Sequence, residues 1–157
     1  MANAVSTAGM LVKYCAGTGT TRPTSGYTTI PGVKAIPELW NDPNMLQSTP
    51  LSATKNHTYI PGLGDNGGSI ALTVNDYAEF RTAWEACLTA YAGLGDSDLM
   101  WFEIAYQDGS DLDSFYFPGE PLPLGFGGAD VDSVLENNAN IAPQGDYLFA
   151  APSTTSA

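Results

Sequence analysis

The stretch SIALTVNDYAEFRTAWEACLTAYAG, residues 69–93, changes its hydrophobic period once, at Asn75. Before that point Ile70, Leu72 and Val74 alternate with Ser69, Ala71 and Thr73, the two-residue period of a strand with one core face and one small, polar face. After it Tyr77, Phe80, Trp84, Cys87, Leu88 and Tyr91 recur at spacings of three and four, which puts all six on one apolar stripe of a helix over 76–92. Asp76 with Glu79 three residues on has the pattern of a capping box, and Gly93 supplies the stop. Cys87 lies inside the stripe and reads as a buried structural thiol.

Outward from this strand and helix, short strands and turns dominate. Residues 10–15 open the chain with a strand, and 16–29 form a Gly/Ser/Thr-rich loop. IPGVKAIPEL (30–39) is strand-like, but Pro31 and Pro37 donate no ladder hydrogen bond, which assigns it to a sheet edge. The polar run 40–57 reads as a long loop, a length that implies function or ordering against a neighbour. TYIP (58–61) and GSIALTV (68–74) flank GLGDNGG and read as a hairpin.

Beyond the helix, Met100, Phe102, Ile104 and Tyr106 alternate against a face bearing Glu103, and Asp108-Gly109 turns the chain into a second arm over 112–117. The segment 118–132 is irregular, with one short strand at Leu122 to Phe126. Residues 133–142 form a strand with Leu135, Ala139 and Ile141 on one face and Glu136, Asn138 and Asn140 on the other, and 147–150 form the last. Residues 1–150 read as a single domain, with 151–157 a disordered or lightly held tail.

The chain of 157 residues is 43% hydrophobic, a globular composition, and its 17 Gly and 11 Pro require many turns. Two cysteines are too few for a disulfide framework, the first residues lack the pattern of a signal peptide, and no window has the roughly 20 apolar residues of a spanning helix. The reading is a protein made in a reducing cytoplasm with no membrane anchor.

Charge is the first anomaly, at −12. All five bases lie in the first 81 residues beside five acids, whereas the last 76 residues carry twelve acids and no base. Gripping nucleic acid requires Lys and Arg on phosphates, so the C-terminal half offers repulsion.

No constellation of catalysis stands out, and the chain reads as a non-enzyme without cofactor. His57, the one histidine, has no nucleophile-elbow pattern beside it and reads as an exposed loop residue. Asp108, Asp111 and Asp113 lack the glycine and terminal glutamate of a calcium loop and read as a solvated turn. GLGDNGG and GFGG lack the Gly-Lys-Ser/Thr ending of a phosphate loop. Trp84, Trp101, Phe102, Tyr106, Phe115, Tyr116 and Phe117 have core periodicity, although exposed rings would suit a sugar.

The order of segments from Gly9 to Asn75 resembles the tail tube family of phages with long, non-contractile tails. The resemblance sits in IPGVKAIPEL (30–39), TPLSATKNHTYIPGLGDNGG (49–68) and SIALTVN (69–75), with IAPQGDY (141–147) similar to the closing turn and strand. It implies a mainly β fold, a β-sandwich or partial barrel with one flanking helix, six copies of which form a ring. Rings would stack into the virion's tail tube around a tape measure protein, between a tail terminator and distal tail proteins, and pass double-stranded DNA without specific binding.

On that reading Pro31, Pro37, Trp40, Leu46, Thr49 and Leu51 are candidates for contacts between copies, because unpaired sheet edges want a partner chain. Strand alternation nominates Glu103, Asp113 and Glu136 for a lumen wall that repels phosphates. Two other readings fit a small acidic β-rich chain: a head decoration or head-to-tail joining protein, and a carbohydrate-binding module.

Overall fold

A two-residue link decides the architecture. In the computed structural model, which describes residues 9–40, 45–52, 54–61, 68–106 and 112–153, the chain forms β1 (Leu11–Ala16), β2 (Thr28–Ile30), β3 (Val33–Ala35), β4 (Met45–Gln47), β5 (Tyr59–Pro61) and β6 (Ile70–Asn75). These are followed by α1 (Ala78–Ala92), β7 (Met100–Ala105), β8 (Ser114–Pro121), β9 (Glu136–Pro143) and β10 (Leu148–Ala150). The main sheet runs in the order β2-β1-β7-β8-β9-β6-β3, with β10 also paired to β8.

β2 and β3 stand at opposite ends of that path, yet only Pro31 and Gly32 separate them. So short a link spans about 10 Å at most. The sheet must therefore curl until its ends approach, giving a half-barrel. Every pairing in it is antiparallel.

β8 makes the curl possible by serving two neighbourhoods. Its first residues pair with β7 on one side and β10 on the other, and Gly119–Pro121 pair with β9. A strand that changes partners along its length turns a sheet corner.

The concave face encloses one core. Val12 and Tyr14 of β1, Ile70, Leu72 and Val74 of β6, Phe102 and Ile104 of β7, and Ala139 and Ile141 of β9 meet Phe80, Trp84 and Cys87 of α1 there. The helix packs against β1, β2 and β8, and Trp84 Nε1 donates to Leu122 O at 2.9 Å. Burying each large apolar side chain contributes about 1.5–3 kcal/mol, so this stripe rather than intrinsic propensity holds α1 in place.

Several details differ from the sequence reading. Tyr77 of the expected stripe is exposed, and Leu88 and Tyr91 pack against the core only partly buried, because the helix turns Phe80, Trp84 and Cys87 fully into it. Asp76 is no cap: Tyr77 occupies the N-cap position without a side-chain bond, while the buried Asp76 carboxylate takes Arg81 Nε at 2.5 Å and Nη2 at 2.8 Å. The guanidinium hydrogen bonds hold that carboxyl below its ordinary value, and burial opposes them.

β5 does not pair with β6. β6 finds β9, whose own alternation matches it (Ile70 opposite Ile141, Leu72 opposite Ala139, Val74 opposite Asn137), and β5 turns back on β4. Most of the GLGDNGG turn lies outside the described residues. The run 122–126 forms no strand, since Pro123 lacks a donor, but it travels beside β9 with Leu122 N to Asn140 O at 3.0 Å and Asn137 Nδ2 to Gly125 O at 2.7 Å. Leu135 is exposed, because it precedes β9 and escapes the register that buries Asn137, Ala139 and Ile141.

Candidate assembly surfaces

The run expected to be a loop over 40–57 contains β4, and with β5 it makes a ribbon that stands apart from the half-barrel sheet. Met45, Leu46 and Gln47 pair with Pro61, Ile60 and Tyr59. All six residues are exposed, with Met45, Leu46, Tyr59 and Ile60 more than half so, and Leu51 at the turn fully exposed. A two-stranded ribbon alone is marginally stable in water, and the apolar side chains exposed on both strands make it a candidate contact surface.

His57 has a structural place in this ribbon. Its Nδ1 lies 2.8 Å from Gln47 Nε2 and 3.2 Å from Thr49 Oγ1, and Thr58 N donates to Thr49 Oγ1 at 2.9 Å. Thr49 thereby ties the two strands together. Among the other contact candidates, Pro31 sits in the β2–β3 turn, Pro37 is exposed, and the Trp40 ring is partly buried against Phe115, Phe117 and Tyr147 at centroid distances of 5.9, 5.6 and 5.4 Å.

A second surface is the convex side of β6 and β9. Alternation delivers Ala71, Thr73 and Asn75 opposite Asn140, Asn138 and Glu136, a field of small and mostly neutral groups. Glu136 is only partly exposed and holds Lys34 Nζ at 2.8 Å, so the acid at the end of this face is already neutralised.

The nominated acids do not share one wall. Glu103 is completely buried, because Ala151–Ser153 and the loop around Tyr27 cover the convex face of β7. Its carboxylate accepts from Tyr116 Oη at 2.9 Å and from Ser153 N and Oγ at 3.1 and 2.6 Å; Tyr116 Oη also lies 2.7 Å from Ala151 O. Arg22 stacks 4.3 Å above the Tyr116 ring, and Lys13 is the cross-strand neighbour of Glu103.

Burial pushes the Glu103 carboxyl up, but the hydrogen bonds from Ser153 and Tyr116 outweigh it and hold it below its ordinary value. The same burial and the neighbouring Glu103 push the Tyr116 hydroxyl up. Glu103 is therefore an anchor for the chain end and not a lumen residue. Alternation gave its face correctly; nothing local in the sequence marked the segment that covers it. Asp113 is exposed just before β8, and Asp108 and Asp111 lie outside the described residues.

Three solved assemblies contain chains of this shape. A chain of the anti-feeding prophage baseplate, 6-fold symmetrised, superposes with a TM-score of 0.62 at 14% identity, covering 96% of this chain and 98% of that one. A chain in the tail of an empty GTA particle, refined with C6 symmetry, gives 0.57 at 17% identity over 90% and 96%. A third, from the PVC sheath/tube terminator of an extracellular contractile injection system in its extended state, gives 0.59 at 10% identity over 96% and 99%. The chain has a tail-tube-like fold.

No protein-family model matches the sequence, and no curated protein matches it. The long non-contractile class is not singled out by these structures, since one comes from a contractile system. Among the described residues of the tail-tube-like fold, no group of three or more His, Cys, Asp or Glu side chains could hold a metal ion, and no helix is long and apolar enough to cross a membrane.

Proposed function

We propose that this chain is a structural subunit of a phage-type tail, polymerising as stacked six-membered rings into the tube that conducts DNA into a host cell. The observation that carries the reading is the β4–β5 arm, an apolar ribbon whose side chains are exposed among the described residues, on a body of tail-tube-like fold. Symmetry is a second support, since two of the similar chains belong to six-fold assemblies. An arm on one surface that meets a different surface of the next copy is a heterologous contact, which generates rings and tubes. Leu46, Thr49 and Leu51, on or beside the arm's turn, are the contact residues of this reading, with Pro31, Pro37 and Trp40 flanking it.

The convex face of β6 and β9 suits a lumen. Its Thr and Asn side chains and the neutralised Lys34–Glu136 pair offer a polyanion no unbalanced cation to hold it. Glu136 keeps its place on that wall, and Asp113 adds exposed charge. A tape measure protein would template the growing tube, and terminator and distal tail proteins would close its ends. The location is the virion tail.

Negative-stain electron microscopy of the purified chain tests the reading: hollow fibres are the expected result, and particles that stay monomeric at high concentration and in kosmotropic salt would overturn it. Discrete six-membered rings that never stack would favour a tail terminator, a reading that the sheath/tube terminator likeness supports.

A further inference from the structure

The half-barrel leaves its core open at one end. There an apolar groove of about 570 Å³ runs between Val33, Ile36 and Leu39 on one bank and Ile104, Phe115 and Phe149 on the other. β3, which forms part of the first bank, ends the sheet path and has a single strand partner. Phe149 is more than half exposed, although it stacks edge-on against Phe115. Among the described residues nothing covers the groove, which extends the core.

The same chain carries a segment of matching chemistry. The arm, residues 45–61, presents Met45, Leu46, Tyr59 and Ile60, and its own groove does not receive them, since β4 and β5 are exposed throughout. Its charge differs from that of the body: within 45–61 there is Lys55 and no carboxylate, whereas the rest of the chain holds all 17 acids against four bases. Glu38 stands exposed between Pro37 and Leu39, which line the groove, and Lys34, also in the lining, is balanced by its ion pair with Glu136. Two such acidic bodies repel each other, and the arm is the part of one copy that the other does not repel.

We infer that the arm of one copy seats in the groove of the next, with Leu46 and Ile60 as apolar anchors against Phe149, and Lys55 directed to Glu38 beside the groove. This rests on the polymerising reading above and names its receptor surface. An apolar anchor in a desolvated pocket with charge matched at the rim is the arrangement that concentrates binding energy in few residues.

Two variants that each lose one half of the contact give the test. L46D/I60D destroys the arm and F149D the groove; all three sites are exposed, and unchanged thermal unfolding checks that each variant folds. Each alone is expected to raise the concentration needed for assembly by at least about tenfold. Mixed in equal amounts they are expected to form heterodimers by sedimentation velocity, because one intact arm and one intact groove remain. Normal assembly by F149D, or a mixture that stays monomeric, would overturn the inference while leaving the tube reading intact. Failure of the unmutated chain to assemble would remove both.

Discussion

Ser153 approaches Glu103 twice, through its backbone N–H at 3.1 Å from Oε2 and its hydroxyl at 2.6 Å from Oε1. A fully buried carboxylate in the middle of β7 thus fastens residues that lie beyond the last strand. Losing the anchor frees the chain end and uncovers the sheet beneath.

Replacing Glu103 by Gln keeps the shape and removes the charge. The expected cost at neutral pH is on the order of 1–3 kcal/mol, the penalty for leaving buried donors poorly matched. Because the folded carboxyl sits below its ordinary value, its stabilising share is complete above that value and disappears as pH falls through the folded one. Chemical denaturation of E103Q and the parent should therefore differ at pH 7 and converge towards strong acid, and trypsin-independent carboxypeptidase trimming should reach residue 153 faster in E103Q.

Asp76 and Arg81 give a second acid-linked contribution. The depressed Asp76 carboxyl is stabilising above the ordinary carboxylate range and loses that share as it protonates in the folded state. R81A should lower the midpoint of thermal unfolding at pH 7 and change it much less under strongly acidic conditions. An equal drop at both would show that the pair does not titrate as the geometry implies.

Gly32 tests the closure of the sheet. Its φ of +81° is a left-handed conformation, and a Cβ there would lie 2.7 Å from Tyr77 Cε1. Strain and contact together predict that G32A costs about 1–3 kcal/mol, and G32A/Y77A should recover the part due to the ring. No recovery would assign the whole effect to the backbone.

Thiol chemistry separates the two cysteines. Burial pushes the Cys87 thiol up to about 12, and the residue has no exposure. Cys15 is partly accessible, and burial raises its thiol as well. With an excess of alkylating reagent at pH 8 the native protein should lose one thiol slowly, and the second only on unfolding.

The sequence carried the period of each segment well, and its partners poorly. Alternation in 69–75 and the three-four spacing of Phe80, Trp84 and Cys87 are local properties, readable without the fold. The choice of β9 over β5 as the neighbour of β6 depends on residues more than sixty positions away, so a strong local turn at GLGDNGG suggested the wrong hairpin. The candidate assembly surfaces show the same division. Exposure of Leu46 and Leu51 on a polar run was legible, whereas the groove exists only once β3, β7 and β10 meet, and the burial of Glu103 only once Ser153 crosses it.

Joining the two ends of the sheet through Pro31 and Gly32 has a mechanical consequence. Neither terminal strand can be peeled from its neighbour without drawing the other along, so a pull applied at one flank is borne by β1 and β6 together. Under the tube reading proposed above, such a circuit would distribute tension around the subunit wall and leave no single strand as the weak seam.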